Sequence, residues 1–289
     1  MSPGSISFND TANLRKSHKL TVTNHGDSTA SFKLINRVSV SILPFNASGD
    51  YSVALPPVYR NDSAKLRFSR KAVKIAPGKS VEITVSVIPP KTDPDLHVIY
   101  GGFVEFKSEL DRHKDITVPY MGIVGNQIDI PIYPENTPLL VNGNATVYYN
   151  KTDVYEYPIS KNTTDQPQVA VVLNMGSRMI RTILQTDKGE NVGLNPIPVQ
   201  EYVSRSIGDA YSLNPWDGYY LPFEASDEDL NYVEAKPGHY RIVVQALRLL
   251  GNVDNKDDWE TWISPVIHIT WMDGDSTQNI ASVLSVNIY

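Results

Sequence analysis

Apolar and polar residues alternate with a period of two in segment after segment of the first 125 residues, and short turn sequences separate these segments. In the run VEITVSVI, Val81, Ile83 and Val85 share one parity, and the polar residues between them share the other. Successive side chains of a strand point to opposite faces, so the pattern predicts a strand with one buried face. About seven such segments are enough for a small β-sandwich.

The second half of the chain repeats this organisation after a proline-rich run, GNQIDIPIYPENTP, which is typical of a linker. Further strand-like runs follow, among them QVAVVLNM, MIRTILQTD, HYRIVVQALRLL and WISPVIHITWM. No segment shows helical spacing with caps over more than about three turns, so the strand–helix alternation of nucleotide-binding folds is absent. We predict an all-β chain of two tandem immunoglobulin or fibronectin type III-like β-sandwich domains, over residues 1–125 and 126–273, with 274–289 unassigned.

The run YGGFVEF interrupts a strand-like apolar segment with two glycines, Gly101 and Gly102. Glycine pairs cradle phosphates in some proteins, but here the flanking residues Tyr100, Val104 and Phe106 alternate as in a strand. Glycine inside a strand marks a β-bulge or a close approach of another group to the backbone. We therefore predict a structural role for the pair, in which replacing Gly102 by valine costs stability.

Composition and charge exclude several function classes. The chain has 289 residues, no cysteine and a net charge of −6, which argues against general nucleic-acid binding. The absence of cysteine excludes disulfides, thiolate zinc sites and a cysteine nucleophile. The basic run from Lys65 to Lys74 either forms a patch for an anionic surface or is the solvated face of a strand, and its alternation with Leu66, Phe68 and Val73 favours the strand.

Six N-glycosylation sequons begin at Asn9, Asn46, Asn61, Asn144, Asn150 and Asn162. Chance would give about three in a chain of this composition, so the excess favours a secretory origin. The amino terminus has no secretory signal pattern, and no run of 18 apolar residues that could span a membrane is present. A longer secreted precursor would reconcile the sequons with the missing signal.

Motifs for phosphate binding, zinc hydrolysis and serine hydrolysis are incomplete. APGKS ends like a phosphate-binding loop, but Val73 stands where that loop needs its first glycine, so Pro77 and Gly78 are interpreted as a turn. The six histidines are scattered without a zinc-binding run, and no Gly-x-Ser-x-Gly elbow occurs. We expect no cofactor, no metal and no catalytic residue.

Two further candidates concern calcium and sugars. The acidic loop 252–260 offers carboxylates but lacks the spacing and glycine of an EF-hand, so a solvated loop is favoured over a calcium site. Trp259 and Trp262 are three residues apart, which in a strand places them on opposite faces and argues against one sugar-stacking platform. Trp216 and Trp271 are interpreted as core or turn-packing residues, and a glycan-binding face stays open as an alternative.

Several motifs taken together resemble the fibronectin type III-like domain that follows the catalytic domain of large extracellular subtilisin-like serine proteases, chiefly the fungal ones. IYGGFVEFKSELDRHKDITVPYMGIVG is similar to its Tyr-x-Gly-Phe-x-Glu strand, charged hairpin and Val-Pro-Tyr-x-Gly segment. Within this segment we assign structural roles to Gly101, Gly102, Pro119, Tyr120 and Gly122. Farther on, PWDGYY and KPGHYRIVVQALRLLGNVDNKDDWETWISPVIHI resemble a further sandwich near the carboxyl end of those enzymes, through Trp216, Gly238 and Tyr240.

The catalytic Asp, His-Gly-Thr and Gly-Thr-Ser-Met motifs of that family are absent. The resemblance implies a noncatalytic accessory region of a serine-type endopeptidase, located outside the cell or in the cell wall. Its implied partners are an upstream subtilisin-like catalytic domain and protein substrate. Two alternatives stay open: an independent adhesion or glycan-binding module, and a hydrolase with a nonstandard site.

Overall fold

The structure is a computed structural model that describes residues 1–46, 49, 51–109, 114–143, 146–148, 152–159, 166–195, 199–206, 211–223, 225 and 231–271. The tail left unassigned by the sequence, 274–289, lies outside the described residues. Within them the regular elements are strands and three single-turn 3-10 helices, Pro94–Leu96, Gln127–Asp129 and Lys256–Asp258. The chain divides into two compact units, Met1–Ile130 and Pro131–Tyr289.

Within the described residues, unit 1 contains two sheets. Its strands are β1 Ile6–Asp10, β2 Ser17–Thr23, β3 Ala30–Val38, β4 Ser41–Phe45, β5 Val53–Arg60, β6 Lys65–Phe68, β7 Ala72–Ile75, β8 Ser80–Ile88, β9 Ile99–Ser108 and β10 Ile116–Ile123. One sheet has the order β1-β10-β9-β3-β7, and the β4–β5 hairpin joins it through β9. The other has the order β2-β8-β6.

The core of unit 1 lies between these sheets, because each contributes the buried parity of its strands. Ile83 and Val85 on β8 are fully buried, and so are Val104 and Phe106 on β9. Phe8 of β1 packs edge to face against Tyr120 of β10, with ring centroids 5.9 Å apart. The alternation visible in the sequence is thus the division between this core and solvent.

Two parts of unit 1 differ from the pattern-based expectation. The polar insertion between Asn46 and Asn61 contains the whole of β5, which pairs with β4 as a hairpin. The run RFSRKAVKI, which the alternation predicts as one strand, is two strands in different sheets. The backbone N–H of Ser69 donates to the carbonyl of Thr84 in β8, whereas the carbonyl of Lys71 accepts from the N–H of Leu34 in β3. The chain crosses between sheets at this point, and alternation alone carries no signal of such a crossing.

Unit 2 is built from three sheets within the described residues. Its strands are β11 Leu139–Val141, β12 Val147–Tyr148, β13 Val154–Ile159, β14 Gln168–Val171, β15 Ser177–Thr186, β16 Asn191–Leu194, β17 Gln200–Val203, β18 Ser212–Pro215, β19 Tyr219–Tyr220, β20 Val233–Glu234, β21 Gly238–Leu247, β22 Trp259–Ile263 and β23 Val266–Trp271. The two large sheets have the orders β12-β11-β14-β18 and β13-β23-β21-β15-β16, and β17 and β22 join the second.

The core of unit 2 lies between the two large sheets. Leu140 and Val169 come from one sheet, and Leu184, Ile242 and Ile267 come from the other; all five are fully buried. Both units are therefore sandwiches, and the predicted fold class, all-β with two immunoglobulin or fibronectin type III-like sandwiches in tandem, is confirmed.

Part of the proline-rich run belongs to the core of unit 2. Ile132 and Tyr133 are buried, and their backbone N–H groups donate to the carboxylate of Glu260 at 2.9 and 3.1 Å. The residues before them, Gln127–Asp129, form a 3-10 turn in unit 1, where the N–H of Gln127 donates to Asp10. The backbone of this run therefore donates hydrogen bonds to a carboxylate of each unit, Asp10 in unit 1 and Glu260 in unit 2.

The segment WISPVIHITWM, predicted as one strand, is two strands separated at Ser264 and Pro265. Proline has no N–H to donate to a ladder, so the strand is interrupted there. The Ser264 hydroxyl accepts from the N–H of Ile242 and donates to the carbonyl of Pro265. In the described part of the chain, no helix is long and apolar enough to cross a membrane.

Candidate interaction surfaces

Two tyrosines and two glycines face each other across the β9–β10 hairpin. The antiparallel register pairs Tyr120 with Gly102 and Tyr100 with Gly122, and it continues without a shift along the hairpin. A Cβ atom at Gly102 would lie 2.5 Å from the Arg37 carbonyl oxygen and 2.8 Å from the Tyr120 hydroxyl oxygen. A Cβ at Gly122 would collide with the Tyr100 hydroxyl in the same way. The glycines therefore make room for the rings opposite them.

The two phenols differ in their hydrogen bonding. The Tyr120 hydroxyl donates to the side-chain oxygen of Asn36 at 2.7 Å, and the Asn36 amide nitrogen donates to the carbonyl of Ala64 at 2.9 Å. The Tyr100 hydroxyl is buried and has no partner among the described residues. Burial raises the pKa of Tyr120 to about 12 and raises the pKa of Tyr100 further above its ordinary value.

The solvent side of the same hairpin carries an apolar surface. The register pairs Phe103 of β9 with Pro119 of β10 on one side and with Arg37 of β3 on the other. Met121 of β10 lies opposite Gly101, and Ile35 lies on β3 two residues before Arg37. Ile35, Phe103 and Met121 are 40%, 36% and 47% exposed. We call the set Ile35, Phe103, Pro119 and Met121 the apolar face.

Charged groups lie beside the apolar face, and one of them, Glu105, is the register partner of Ile35. The guanidinium carbon of Arg37 lies 5.7 Å from the centre of the Phe103 ring, within the range of a cation–π contact. At the far end of β3 and β9, Lys33 pairs with Glu109 at 3.3 Å, and Lys107 pairs with Asp115 at 4.0 Å. An exposed apolar patch rimmed by polar groups is the usual composition of a protein-binding surface. Single exposed apolar residues are common, but a patch of adjacent ones on one sheet face needs an explanation.

The β4–β5 hairpin exposes further apolar side chains, because Leu55, Val58 and Tyr59 are largely accessible. Pro56 and Pro57 lie in β5 and remove two backbone donors from this strand. Proline on an outer strand discourages pairing with a strand of another chain. This hairpin is therefore poorly suited to strand addition.

The sequons that the structure describes lie near the surface. Asn61 and Asn46 are exposed, and the Asn46 amide donates to the hydroxyl of Ser52 at 3.0 Å. Asn9 is half-buried with a left-handed φ of 59°. Asn144, Asn150 and Asn162 lie outside the described residues. Glycosylation at all six positions stays a prediction.

In unit 2, Trp216, Gly238 and Tyr240 make packing, hydrogen-bond or strand-pairing contacts within the fold. Trp216 is fully buried, and its indole N–H donates to the carbonyl of Tyr219 at 2.7 Å. The Tyr240 ring meets it edge to face at 6.0 Å, and the Tyr240 hydroxyl donates to the carbonyl of Lys236. Gly238 begins β21 opposite Ile269 of β23. The segments PWDGYY and KPGHY thus brace each other.

A cavity of about 290 Å³ opens between the two large sheets of unit 2. Val171, Ile180 and Val244 form part of its apolar floor, and Gln200, Arg205 and Asn214 are among its polar lining residues. Tyr211 also lines it and is 52% exposed. No sequence motif indicates this cavity, because its walls come from five strands that are distant in the chain, β14, β15, β17, β18 and β21.

Among the described residues, no group of three or more histidine, aspartate or glutamate side chains that could hold a metal ion occurs. In the loop 252–260, Asp258 accepts from the N–H of Asn252 at 2.7 Å, so this carboxylate orders its own loop. Gly78 has a left-handed φ of 68° in the turn after β7, and its N–H donates to the carbonyl of Asn24.

Comparison with known families concerns unit 1. Residues 6–121 match a family profile described as an Fn3-like domain. This range extends from the start of β1 into β10, so the predicted fibronectin type III-like region is confirmed for the first sandwich. No curated protein sequence is significantly similar to the chain.

Among solved structures, similar chains include pilus and fimbrial chaperones. The CsuC–CsuE chaperone–tip adhesion subunit complex of Acinetobacter baumannii shares 12% identity at a TM-score of 0.27, over 94% of this chain and 97% of that chain. The class 5 fimbriae chaperone CfaA shares 10% at 0.30, over 91% and 97%. The E. coli chaperone DraB shares 9% at 0.26, over 93% and 94%. At these identities and TM-scores the similarity assigns no function.

Proposed function

We propose that this chain is the noncatalytic accessory region of a secreted subtilisin-like serine endopeptidase, in which it braces the protease domain and positions protein substrate. Two observations support this parentage. The strand and turn motifs of both halves resemble the region downstream of such protease domains. Residues 6–121 match an Fn3-like domain, which is the kind of module that this resemblance implies for the first sandwich.

The observation that carries the proposal is the apolar face of unit 1. Phe103 and Met121 point outward from strands whose inward residues already fill a complete core. Burying an exposed apolar side chain stabilises an interface by roughly 25 cal/mol per Å² of apolar surface removed from water. A patch of adjacent exposed apolar side chains on one sheet face is therefore expected to be covered by a partner, and in this proposal that partner is the catalytic domain.

A sandwich suits such a bracing role because its core is closed by two hydrogen-bonded sheets, so it can carry a neighbouring domain without deforming. Loops at the ends of its strands can then narrow or widen access to a substrate cleft. Arg37 beside Phe103 adds a cation at the edge of the patch, where it would select an acidic or carbonyl-rich counterpart on the partner.

The parentage is tested by the nucleotide sequence upstream of the Met1 codon. We expect an open reading frame in phase with this chain that encodes the family's Asp, His-Gly-Thr and Gly-Thr-Ser-Met motifs. A stop codon in phase, or an unrelated domain, would refute the proposed parent.

The bracing role is tested in that longer protein. The double variant Phe103→Ser/Met121→Ser should lower the thermal midpoint of the protease domain and slow casein cleavage. The matched control is Thr117→Ser, on the same outer face of β10 but outside the apolar face. Equal effects of the two variants, or no effect of either, would contradict docking through this face. The purified 289-residue chain alone should not cleave casein; turnover stopped by a serine-directed inhibitor would contradict the noncatalytic assignment.

An independent adhesion or glycan-binding module is the second candidate, and the cavity of unit 2 favours it. Its lining combines apolar floor residues with Arg205, Asn214 and the exposed ring of Tyr211, which are the side-chain types that contact sugars. A glycan array probed with the whole chain tests it. Binding that Tyr211→Ala removes would support this candidate, and an array without signal would leave the accessory role as the better account.

A further inference from the structure

Three polar side chains form a row across three strands on the solvent face of the larger sheet of unit 2. Glu156 of β13 is the register partner of His268 of β23, and His268 is the register partner of His239 of β21. Their strand neighbours Tyr155, Tyr157 and Ile267 are buried, so the row points away from the core.

The two imidazole rings of this row are stacked. Their centroids are 4.3 Å apart and their planes differ by 7°. The register and the stacking place the two rings side by side, and each imidazole in its neutral form offers one ring nitrogen with a free lone pair.

Glu156 determines which nitrogen of His268 is unprotonated. Its carboxylate oxygen lies 2.7 Å from Nδ1 of His268, and because an ionised carboxylate can only accept, this contact favours the tautomer with the proton on Nδ1. The lone pair is then on Nε2. A carboxylate bonded to the distal nitrogen of a histidine is the arrangement that orients metal-binding imidazoles and raises their basicity.

We propose that His239 and His268 form a two-histidine site for a divalent transition-metal ion that prefers imidazole, such as Zn²⁺ or Ni²⁺. Directly paired residues of neighbouring antiparallel strands have Cβ atoms about 4.5–5.5 Å apart. Rotation of the more exposed His239 ring out of the stack brings both lone pairs toward one ion at the usual metal–nitrogen distance of about 2.0–2.1 Å. Water completes the coordination, since Glu156 is held by Nδ1 of His268.

This site is separate from the surfaces used in the proposed function. The apolar face lies in unit 1, and the cavity of unit 2 is lined by other residues of β15, β17 and β21. The site also explains a feature that core packing leaves unexplained, namely two histidines and a carboxylate aligned on a solvent-facing row where any polar residues would satisfy the fold.

Isothermal titration of the untagged 289-residue chain with Zn²⁺ or Ni²⁺ tests the proposal. We expect saturable binding of one ion per chain, lost in His239→Ala and in His268→Ala, and weakened about 10-fold in Glu156→Gln. His25→Ala, which removes an exposed loop histidine, is the matched control and should bind as the unmodified chain does. Ca²⁺, which takes oxygen ligands, should not bind at this site.

Binding should also weaken when the pH is lowered from about 7.5 to about 5.5, because protons compete with the metal for the same nitrogen atoms. Thermal midpoints without metal should be equal in the unmodified and alanine chains, which shows that the variants are folded. Absence of saturable binding in the unmodified chain would overturn the proposal, and so would binding that persists in both alanine variants.

Discussion

Tyr120 of β10 lies over Gly102 of β9, with its hydroxyl oxygen 2.8 Å from the position that a Cβ atom on Gly102 would occupy. The reverse pair, Tyr100 over Gly122, lies next to it on the same hairpin. Aromatic rings that cover glycines on a neighbouring strand recover the packing that a missing side chain loses. The Tyr-x-Gly spacing that occurs in both strands is the sequence counterpart of this arrangement.

Replacing Gly102 by valine should destabilise unit 1 by at least about 2 kcal/mol, because the new side chain meets the Arg37 carbonyl and the Tyr120 ring. Chemical denaturation followed by tyrosine fluorescence measures the change. Gly4→Val is the control, since a Cβ at Gly4 has nothing within 4 Å. An unchanged midpoint for the Gly102 variant would refute the steric explanation.

The two phenols should respond differently to removal of their hydroxyls. Tyr120→Phe leaves the Asn36 side-chain oxygen without its donor and should cost about 1 kcal/mol or more. Tyr100→Phe removes a buried hydroxyl that has no partner among the described residues, so it should be neutral or stabilising. Thermal midpoints of the two variants provide the comparison, and an equal loss in both would contradict it.

Alkaline pH should destabilise unit 1. The folded pKa of Tyr120, about 12, lies above the ordinary value, so the folded state retains its phenolic proton longer than the unfolded state does. The resulting stabilisation is complete below about pH 10 and is lost as the pH rises above it. Phenolate absorbance should show a late-titrating group that disappears in Tyr120→Phe; an unchanged titration would argue against its burial.

Acid should destabilise the same unit through His97. Its ring is buried and packs near Phe45 and Tyr51, and burial lowers its pKa, although Asp95 and other carboxylates oppose this shift. The unfolded state therefore binds the proton more readily. Stability is complete above about pH 6.5 and is lost as the pH falls toward the lower folded value.

The variant His97→Asn tests this dependence, because asparagine tolerates the left-handed φ of 47° at this position. The thermal midpoint of the unmodified chain should fall between about pH 7.5 and about pH 5, and that of the variant should fall less. His25→Ala should retain the full dependence. Parallel curves for the His97→Asn variant and the unmodified chain would assign the acid sensitivity to other groups.

The fold class could be predicted from the sequence because two-residue periodicity reports directly which side chains are buried. Val81, Ile83 and Val85 occur at every second position of the sequence because they share the inward face of β8. Positions where strands change sheet could not be predicted in this way. The crossing between β6 and β7 depends on which neighbouring strand supplies hydrogen bonds, and alternation does not contain that information.

The candidate surfaces could be identified only once the register between the strands was known. The sequence identified Gly101, Gly102, Pro119, Tyr120 and Gly122 as one motif, but its two strands had to be paired before Phe103 and Met121 became one apolar face. The same holds for Glu156, His239 and His268, which are separated by up to 112 residues in the chain. Hydrogen bonding between β13, β23 and β21 brings them into one row.

By itself, the sequence determined that the chain is all-β, that it forms two sandwiches, and that Gly102 lies inside a strand, since each follows from local periodicity and backbone geometry. The tertiary structure alone decided which residues meet across strands: Tyr120 with Gly102, Phe103 with Arg37, and His239 with His268. The physical reason is that the polarity of each residue indicates whether its side chain is buried. Side-chain contacts between strands depend instead on a register that long-range pairing sets.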